Sequence, residues 1–225
     1  ALSYIKHTRR CPKKINNVYL GRKFNNKEIE KKIKLFKLNY KTPSNIEKIV
    51  AEKLHQGQII SIFNGKLEFG PRSLGNRSIL SRATNPEINK SLNKKLKRTE
   101  FMPFAPVTLS RFKNKMYLNC RKGKLTSKFM TITYKCKKKM EELSPAAVHI
   151  DSTARPQIVD QGINLLLYKI LNEYYKISGI PNLINTSFNM HEEPIVYNPH
   201  DALRAFIQSK LDYLLIGRFL VDKIK

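Results

Sequence analysis

Apolar residues recur along this chain at two spacings, and these predict helices that alternate with strands. Ile29 and Ile33 stand at helical spacing behind Asn25 and Glu28, a pair typical of a helix-capping box. Ser44 and Glu47 repeat that cap pattern before a second helix, and Gly179 with Pro181 marks the end of the longest one. The pattern predicts helices at 26–36, 46–55, 165–177 and 199–210, and a further helix beginning at Pro86.

Runs of β-branched and aromatic residues predict the strands. They occupy 59–63, the end of 102–109, 129–134, 146–150, 182–185 and 211–221. Asn64-Gly65 after the first run indicates the bend of a hairpin. Strands alternating with helices, together with a hairpin, favour an α/β (α+β) fold with a mixed sheet over a purely parallel one. At 225 residues the chain has room for one such domain, which we assign to 18–225, with 1–17 as a basic lead-in.

The charge is strongly positive. Lys and Arg number 43 against 17 Asp and Glu, a formal net charge of +26, and no acidic residue occurs between Arg111 and Lys139. One interpretation is attraction to a polyanion, nucleic acid above all, and the other is a lysine-rich solvated surface. No zinc knuckle, helix-turn-helix or aromatic RNA-binding signature is present, so we favour the second. A phosphate-bearing substrate would gain from such a field as well.

Cysteine usage and hydropathy point to a reducing cytoplasm. Cys11, Cys120 and Cys136 are far apart and form neither a disulfide framework nor a metal-binding pair. The chain has no long apolar run, which argues against a membrane partner, and residues 1–10 lack the apolar block of a secretory signal. His149 and His191 match no known metal-site spacing, so we expect structural roles for them and no metal ligands from the protein.

Four polar clusters lie at the ends of β-prone runs, where sites commonly form. They are 70–78, Lys97-Arg98, 151–157 and 185–189. Gly70 and Gly75 permit backbone angles closed to other residues, so backbone amides can converge on a ligand there, with Arg72 and Arg77 beside them. Guanidinium groups suit phosphate or carboxylate oxygens, and acids that could pair with them are scarce. Lys97 by itself is typical of a solvated helix lysine. The residues alone predict recognition of a phosphate-bearing small molecule.

These clusters follow the order of motifs in the O-carbamoyltransferases, a family that includes nodulation-factor and antibiotic carbamoyltransferases. Segment 65–80, GKLEFGPRSLGNRSIL, closely resembles the family signature, and similar motifs follow at 103–106, 149–157, 185–189, 193–196 and 201–204. The resemblance is to the C-terminal domain of the family and covers nearly all of the chain. It implies a YrdC-like fold, a twisted mixed sheet with flanking helices.

The resemblance also implies an activity and its residues. The domain would be a carbamoyltransferase component that makes carbamoyl adenylate from carbamoyl phosphate and ATP, with Mg²⁺. Arg72 and Arg77 would bind phosphate groups. Lys97 and Arg155 would hold carbamoyl phosphate or the polyphosphate. Ser187, together with Asn185 and Asn189, would complete the pocket.

Two departures from the family pattern bear on these roles. Many members carry an arginine just before the motif at 103–106, where this chain has Met102, and Arg98 is the neighbouring candidate to replace it. The N-terminal Kae1-like domain, on which an acceptor hydroxyl would receive the carbamoyl group, is absent from the sequence, and only its last helix is expected at 2–8. Another polypeptide segment, in cis or in trans, would have to supply the transfer step to a sugar or natural-product acceptor. The alternatives are an RNA-binding YrdC-like module and an inactive remnant.

Overall fold

The computed structural model describes residues 15–98, 104–120 and 122–223. Seven α-helices lie in that part of the chain: α1 (Asn26–Leu35), α2 (Ile46–His55), α3 (Glu87–Lys95), α4 (Lys113–Met116), α5 (Lys138–Leu143), α6 (Leu165–Ser178) and α7 (Pro199–Ser209). The strands are β1 (Tyr40–Lys41), β2 (Ile60–Phe63), β3 (Arg77–Ser81), β4 (Ala105–Leu109), β5 (Tyr134–Lys135), β6 (Thr153–Ala154), β7 (Gln157–Val159), β8 (Asn182–Ser187), β9 (Tyr213–Ile216) and β10 (Phe219–Asp222).

Eight strands form one mixed sheet in the order β1-β10-β9-β2-β3-β8-β4-β7, and β5 pairs with β6 separately. Within the described ranges, β2–β9 and β4–β7 are the parallel pairs, and the other neighbouring strands are antiparallel. Ser78 pairs with Ser187, Ala105 with Asn185, and Val107 with Gln157. Because of this register, β3, β4 and β7 begin at the same edge of the sheet at which β8 ends. The mixed sheet that the sequence predicts is therefore confirmed.

Helices cover both faces of the sheet. On one face α2 and α6 pack against alternate strand residues such as Ile62 and Leu183. On the other face α1, α3 and α7 pack against residues such as Phe63 and Ile184. Strands β2, β3 and β4 are buried along their whole length, as expected for strands covered on both sides.

The helix boundaries follow local capping chemistry. The Asn25 side chain accepts from the Glu28 backbone N–H at 2.9 Å, and the Glu28 carboxylate accepts from the Asn25 N–H at 2.7 Å, so the predicted capping box is confirmed. Asn198 caps α7 as predicted, and α6 ends at Gly179 with φ of +71°. The prediction that Ser44 caps the second helix is wrong. Helix α2 has its N-cap at Asn45, which makes no side-chain capping bond.

Three strand predictions are corrected. Segment 129–134 is not a strand, because Met130 takes a left-handed conformation after a 3₁₀ turn and only Tyr134 continues into β5. Segment 146–150 is not a strand either, since Pro145 starts a 3₁₀ turn there. Segment 211–221 is two strands, β9 and β10, that pair across the turn at Gly217, where φ is +58°.

The predicted hairpin exists and the chain bends at Gly65, where φ is +53°, but the two strands are not joined by a tight turn there. Strand β3 pairs with β2 only from Arg77 onward, so the whole glycine-arginine segment 64–76 is the connection between them. The predicted helix at 2–8, Cys11 and Met102 lie outside the described residues. None of the helices in the described ranges is long and apolar enough to cross a bilayer.

Candidate functional site

A small polar cavity lies at the edge of the sheet where β3, β4 and β7 begin and β8 ends. We call it the arginine pocket; its volume is about 80 Å³. The 64–76 connection, the end of α3, β4, the approach to β7 and the end of β8 all contribute to it. Its lining consists of Pro71, Arg72, Ser73, Arg98, Ala105, Met130, Arg155, Asn185, Thr186 and Ser187. Arg72, Arg155 and Ser187, which come from three of the predicted polar clusters, thus line one cavity.

Two of the three guanidinium groups in this pocket are partly desolvated. Burial lowers the pKa of Arg98, and burial together with the nearby positive charge of Arg72 lowers the pKa of Arg155. Nε of Arg155 is buried and has no partner among the described residues. No carboxylate is found in the lining that the structure describes. A multivalent anion would relieve both the repulsion and the desolvation, so phosphate oxygens fit this pocket.

Neighbouring side chains hold two of the lining groups. Arg98 donates from Nη2 to Thr186 Oγ1 at 3.3 Å, and its guanidinium lies 5.3 Å from the centre of the Phe104 ring. Ser187 donates from Oγ to Asn189 Oδ1 at 2.6 Å. The Asn189 amide in turn donates to the Glu193 carbonyl at 2.8 Å. Asn189 does not line the pocket, but the hydrogen bond that it accepts from Ser187 holds that hydroxyl in position.

Lys97 is not brought into the pocket lining. It is the exposed residue after the end of α3, with φ of +56°, and Arg98 rather than Lys97 turns toward the cavity. The role that the resemblance implies for Lys97 stays a prediction.

The structure does not place Arg77 where a phosphate-binding role was expected. It is fully buried, and its guanidinium donates from Nη1 to the carbonyls of Asn64 at 2.6 Å and Asn76 at 2.9 Å. The group also stacks on the Phe63 ring, 3.7 Å from its centre. Burial lowers its pKa to about 10, so it remains protonated at neutral pH. As folded, Arg77 ties the ends of the 64–76 connection together and does not reach the arginine pocket.

The backbone amides of the glycine-rich segment do converge on an anion, but that anion belongs to the chain itself. Glu68 is 4% exposed, and its Oε1 accepts from the N–H groups of Leu74 at 2.8 Å, Asn76 at 2.7 Å and Arg77 at 3.1 Å. The amides of Leu74, Asn76 and Arg77 are therefore occupied and cannot cradle a ligand, so for these three the expectation is corrected. The sequence reasoning missed Glu68, although an acidic residue inside the signature of such a basic chain was the available signal.

A second cavity adjoins the arginine pocket and was also missed. It has a volume of about 570 Å³ and shares Pro71, Arg72, Met130 and Arg155 with the pocket. We call it the apolar cleft, because its other walls are mainly apolar: Ile15, Val18, Phe69, Gly70, Leu74, Leu125, Thr126, Phe129 and Thr131. Phe69 is 74% exposed there, and an exposed aromatic side chain beside a polar site is typical of a ligand-binding surface.

The magnesium that the resemblance implies has no protein cage in the described ranges. No group of three or more His, Cys, Asp or Glu side chains is found there that could hold a metal ion. Nδ1 of His149 forms a hydrogen bond of 3.0 Å with Thr153 Oγ1. Magnesium commonly binds through substrate phosphates with few protein ligands, so its involvement stays a prediction.

Comparisons with known proteins agree with this geometry. Residues 51–223 match the family model described as the carbamoyltransferase C-terminus. The chain is 37% identical over 218 residues to the uncharacterized protein MJ1051 of Methanocaldococcus jannaschii, with 94% of this chain and 42% of that protein covered. It is 37% identical over 175 residues to the nodulation protein NolNO of Sinorhizobium fredii, with 77% of this chain and 25% of NolNO covered. The chain thus spans less than half the length of either relative.

Solved structures show the same fold at low sequence identity. Full-length HypF, in a phosphate- and nucleotide-bound form, superposes with a TM-score of 0.57 at 22% identity over 81% of this chain and 26% of HypF. A variant of P. abyssi Sua5 gives 0.53 at 10% identity over 79% of this chain and 49% of Sua5. Both neighbours are YrdC-like, so the predicted fold is confirmed. The chain belongs to the carbamoyltransferase C-terminal family.

Proposed function

We propose that this chain is the carbamoyl-activating domain of an O-carbamoyltransferase and that the arginine pocket forms carbamoyl adenylate from carbamoyl phosphate and ATP. One observation carries the proposal. Arg72, Arg98 and Arg155 come from three separate segments and converge with Ser187 on one small cavity whose described lining holds no carboxylate. Such a site acts by positioning anions and by neutralising charge that develops on oxygen.

The reaction balances with one water molecule. Hydrolysis of carbamoyl phosphate releases inorganic phosphate and leaves carbamate. A carbamate oxygen then bonds to the α-phosphorus of ATP while the bond to pyrophosphate breaks. The products are carbamoyl adenylate, phosphate and pyrophosphate, and neither step changes an oxidation state.

The residues divide this work by chemistry. The three guanidinium groups suit phosphate oxygens, and Ser187 with Asn185 suits the small carbamoyl head. The apolar cleft has room for the nucleoside of ATP, since ligand pockets commonly measure about 300–1,000 Å³, and Arg72 and Arg155 stand where the two cavities meet. Magnesium would enter with the polyphosphate.

The acceptor half of the reaction belongs to a different site in this proposal. Transfer to a hydroxyl of a sugar or natural product would take place on a Kae1-like domain, in cis or in trans. We place the reaction in the cytoplasm, where cysteines such as the buried Cys120 and Cys136 remain free thiols.

Isotope exchange between pyrophosphate and ATP tests the proposal. The chain should catalyse exchange that requires both Mg²⁺ and carbamoyl phosphate, with release of phosphate. A folded sample that shows no exchange dependent on carbamoyl phosphate, even with a Kae1-like domain added, would refute the assignment.

A further inference from the structure

One buried acceptor in the arginine pocket has no partner among the residues that the structure describes. Asn185 lies on β8, lines the pocket and is 2% exposed. Its Nδ2 donates to Gln157 Oε1 at 2.7 Å, with a longer contact of 3.4 Å to the Ser73 carbonyl. Its Oδ1 is the unpartnered atom. A buried acceptor without a donor is costly, so a ligand that supplies an N–H or O–H there would be favoured.

A chain of amides sets which atom of Asn185 is left free. The Leu74 carbonyl can only accept, and Gln157 Nε2 donates to it at 2.8 Å. Gln157 is fully buried, so its Oε1 must then face Asn185 and accept from Nδ2. Reversing either amide would set two donors or two acceptors against each other. The atom of Asn185 that is left without a partner is therefore an oxygen, not an N–H group.

The guanidinium groups cannot tell one acyl phosphate from another. They would meet the phosphate oxygens, which carbamoyl phosphate and acetyl phosphate share. The two compounds differ only in the head, where an NH₂ group that can donate hydrogen bonds replaces a methyl group of similar size that cannot. Discrimination must therefore come from an acceptor near the head.

We propose that Asn185 Oδ1 recognises the carbamoyl NH₂ group and that Gln157 is a positioning residue that holds this oxygen in its accepting orientation. The inference rests on the function proposed above. With acetyl phosphate the buried Oδ1 would stay unpaired, and sites built to bond a substrate N–H reject analogues that lack it.

Pyrophosphate exchange with the two acyl phosphates tests this selectivity, since both would be activated by the same bond changes. For the unaltered chain, kcat/KM should be about a hundredfold higher with carbamoyl phosphate than with acetyl phosphate. Gln157→Leu releases the Asn185 amide to turn over, and the ratio should fall about tenfold or more. Tyr19 still donates to the Leu74 carbonyl at 2.9 Å, so that group keeps a partner.

Gln157→Glu is the conservative variant. A carboxyl group there still accepts from Asn185, and in its protonated form it also donates to the Leu74 carbonyl, so the selectivity ratio should stay close to that of the unaltered chain. A purely structural role of Gln157 would lower both kcat/KM values together and leave the ratio unmoved in Gln157→Leu, which would overturn the inference. Gln208→Leu, an exposed glutamine on α7, is the matched control.

Two further outcomes are decisive. If Gln157→Leu fails to melt cooperatively, Asn185→Ala removes the acceptor directly, and an unchanged ratio in that variant would overturn the inference. If the unaltered chain exchanges with neither acyl phosphate, the proposed function fails rather than the selectivity. If it exchanges equally well with both, the activity stands and the role of Asn185 is wrong.

Discussion

Arg72 and Arg77 belong to the same signature segment but serve different purposes. Arg72 is exposed at the arginine pocket, whereas Arg77 is buried against Phe63 and donates to backbone carbonyls. We predict that Arg77→Met lowers the free energy of unfolding by about 3 kcal/mol, because the Asn64 carbonyl loses its donor and the guanidinium contact with the Phe63 ring is lost. Arg72→Met should change it by less than about 0.5 kcal/mol and should weaken binding of carbamoyl phosphate instead. Urea unfolding and titration calorimetry on both variants measure the two effects, and equal stability losses would contradict the assignment.

Arg155 lines the arginine pocket, whereas Lys97 lies outside its lining, so variants of the two residues can be compared. Arg155→Ala should raise the Kd of carbamoyl phosphate about ten- to a hundredfold, since a charge-assisted hydrogen bond is lost. Lys97→Ala should have a smaller effect, because Lys97 is exposed and does not line the cavity. Lys94→Ala, also exposed on the last turn of α3, is the control. A loss for Lys97→Ala as large as that for Arg155→Ala would show that the end of α3 moves into the site.

The types of residue in a sequence predict which residues form a binding site better than they predict which side chains are buried. Arg72, Arg155 and Ser187 could be grouped from the sequence, because cations and hydroxyls at strand ends suit phosphate whatever the detailed packing. Arg77 could not be separated from Arg72, since only the tertiary fold shows that Phe63 and the carbonyls of the connection enclose its guanidinium. Gln157 was visible only as part of a motif, because its effect passes through Asn185.

At the scale of one element, the 64–76 connection is held in shape by its own carboxylate. Three backbone amides donate to Glu68 Oε1, and Gly75, with φ of +109°, packs so closely on α6 that a Cβ would lie 2.5 Å from Leu167 Cδ2. A segment with this many fixed contacts presents Arg72 in one place, which reduces the entropy lost on binding.

We predict that Glu68→Ala loosens this connection. Three buried amides would lose their acceptor, so the free energy of unfolding should fall by about 2–3 kcal/mol and the Kd of carbamoyl phosphate should rise. Hydrogen exchange at Leu74, Asn76 and Arg77 should accelerate. Acetate should restore part of the affinity by occupying the vacated amides, and Glu30→Ala, an acidic residue on α1, is the control. Unchanged exchange at those three amides would contradict this role of Glu68.

Elements held by local bonds were predicted better than elements held by distant ones. The ends of α1 and α7 depend on side chains within three residues, so the sequence reveals them. Whether 129–134 extends as a strand depends on a partner strand, and β6 offers only Thr153 and Ala154 to pair with β5. The alternation of apolar residues within a segment does not show how long the strand that pairs with it is.

Across the whole molecule, the site depends on a strand order that no local pattern encodes. Strand β8 lies between β3 and β4, although it is far from both in sequence. That placement brings Ser187 and Arg72 to one cavity and places the Asn185 side chain within hydrogen-bonding distance of Gln157. The order of motifs in the sequence indicates a family, whereas the sheet register explains why those motifs meet at one edge.

The positive charge is also a property of the whole molecule, and part of it lies near the site. Lys122 and Lys124 are exposed on the segment that forms one wall of the apolar cleft. A field of this sign raises the local concentration of anionic substrates and is screened by salt. We predict that kcat/KM for ATP falls about tenfold as ionic strength rises from about 50 to 500 mM.

Charge reversal near the cleft tests the source of this field. The double variant Lys122→Glu with Lys124→Glu should reduce the salt dependence, whereas Lys27→Glu with Lys31→Glu on α1, equal in charge change, should reduce it less. The same series decides between substrate attraction and nucleic-acid binding. RNA held by phosphate contacts alone loses affinity steeply with salt, so its binding should vanish near physiological ionic strength. Tight RNA binding that survives there, and that the cleft variant abolishes, would instead favour an RNA-binding role for this surface.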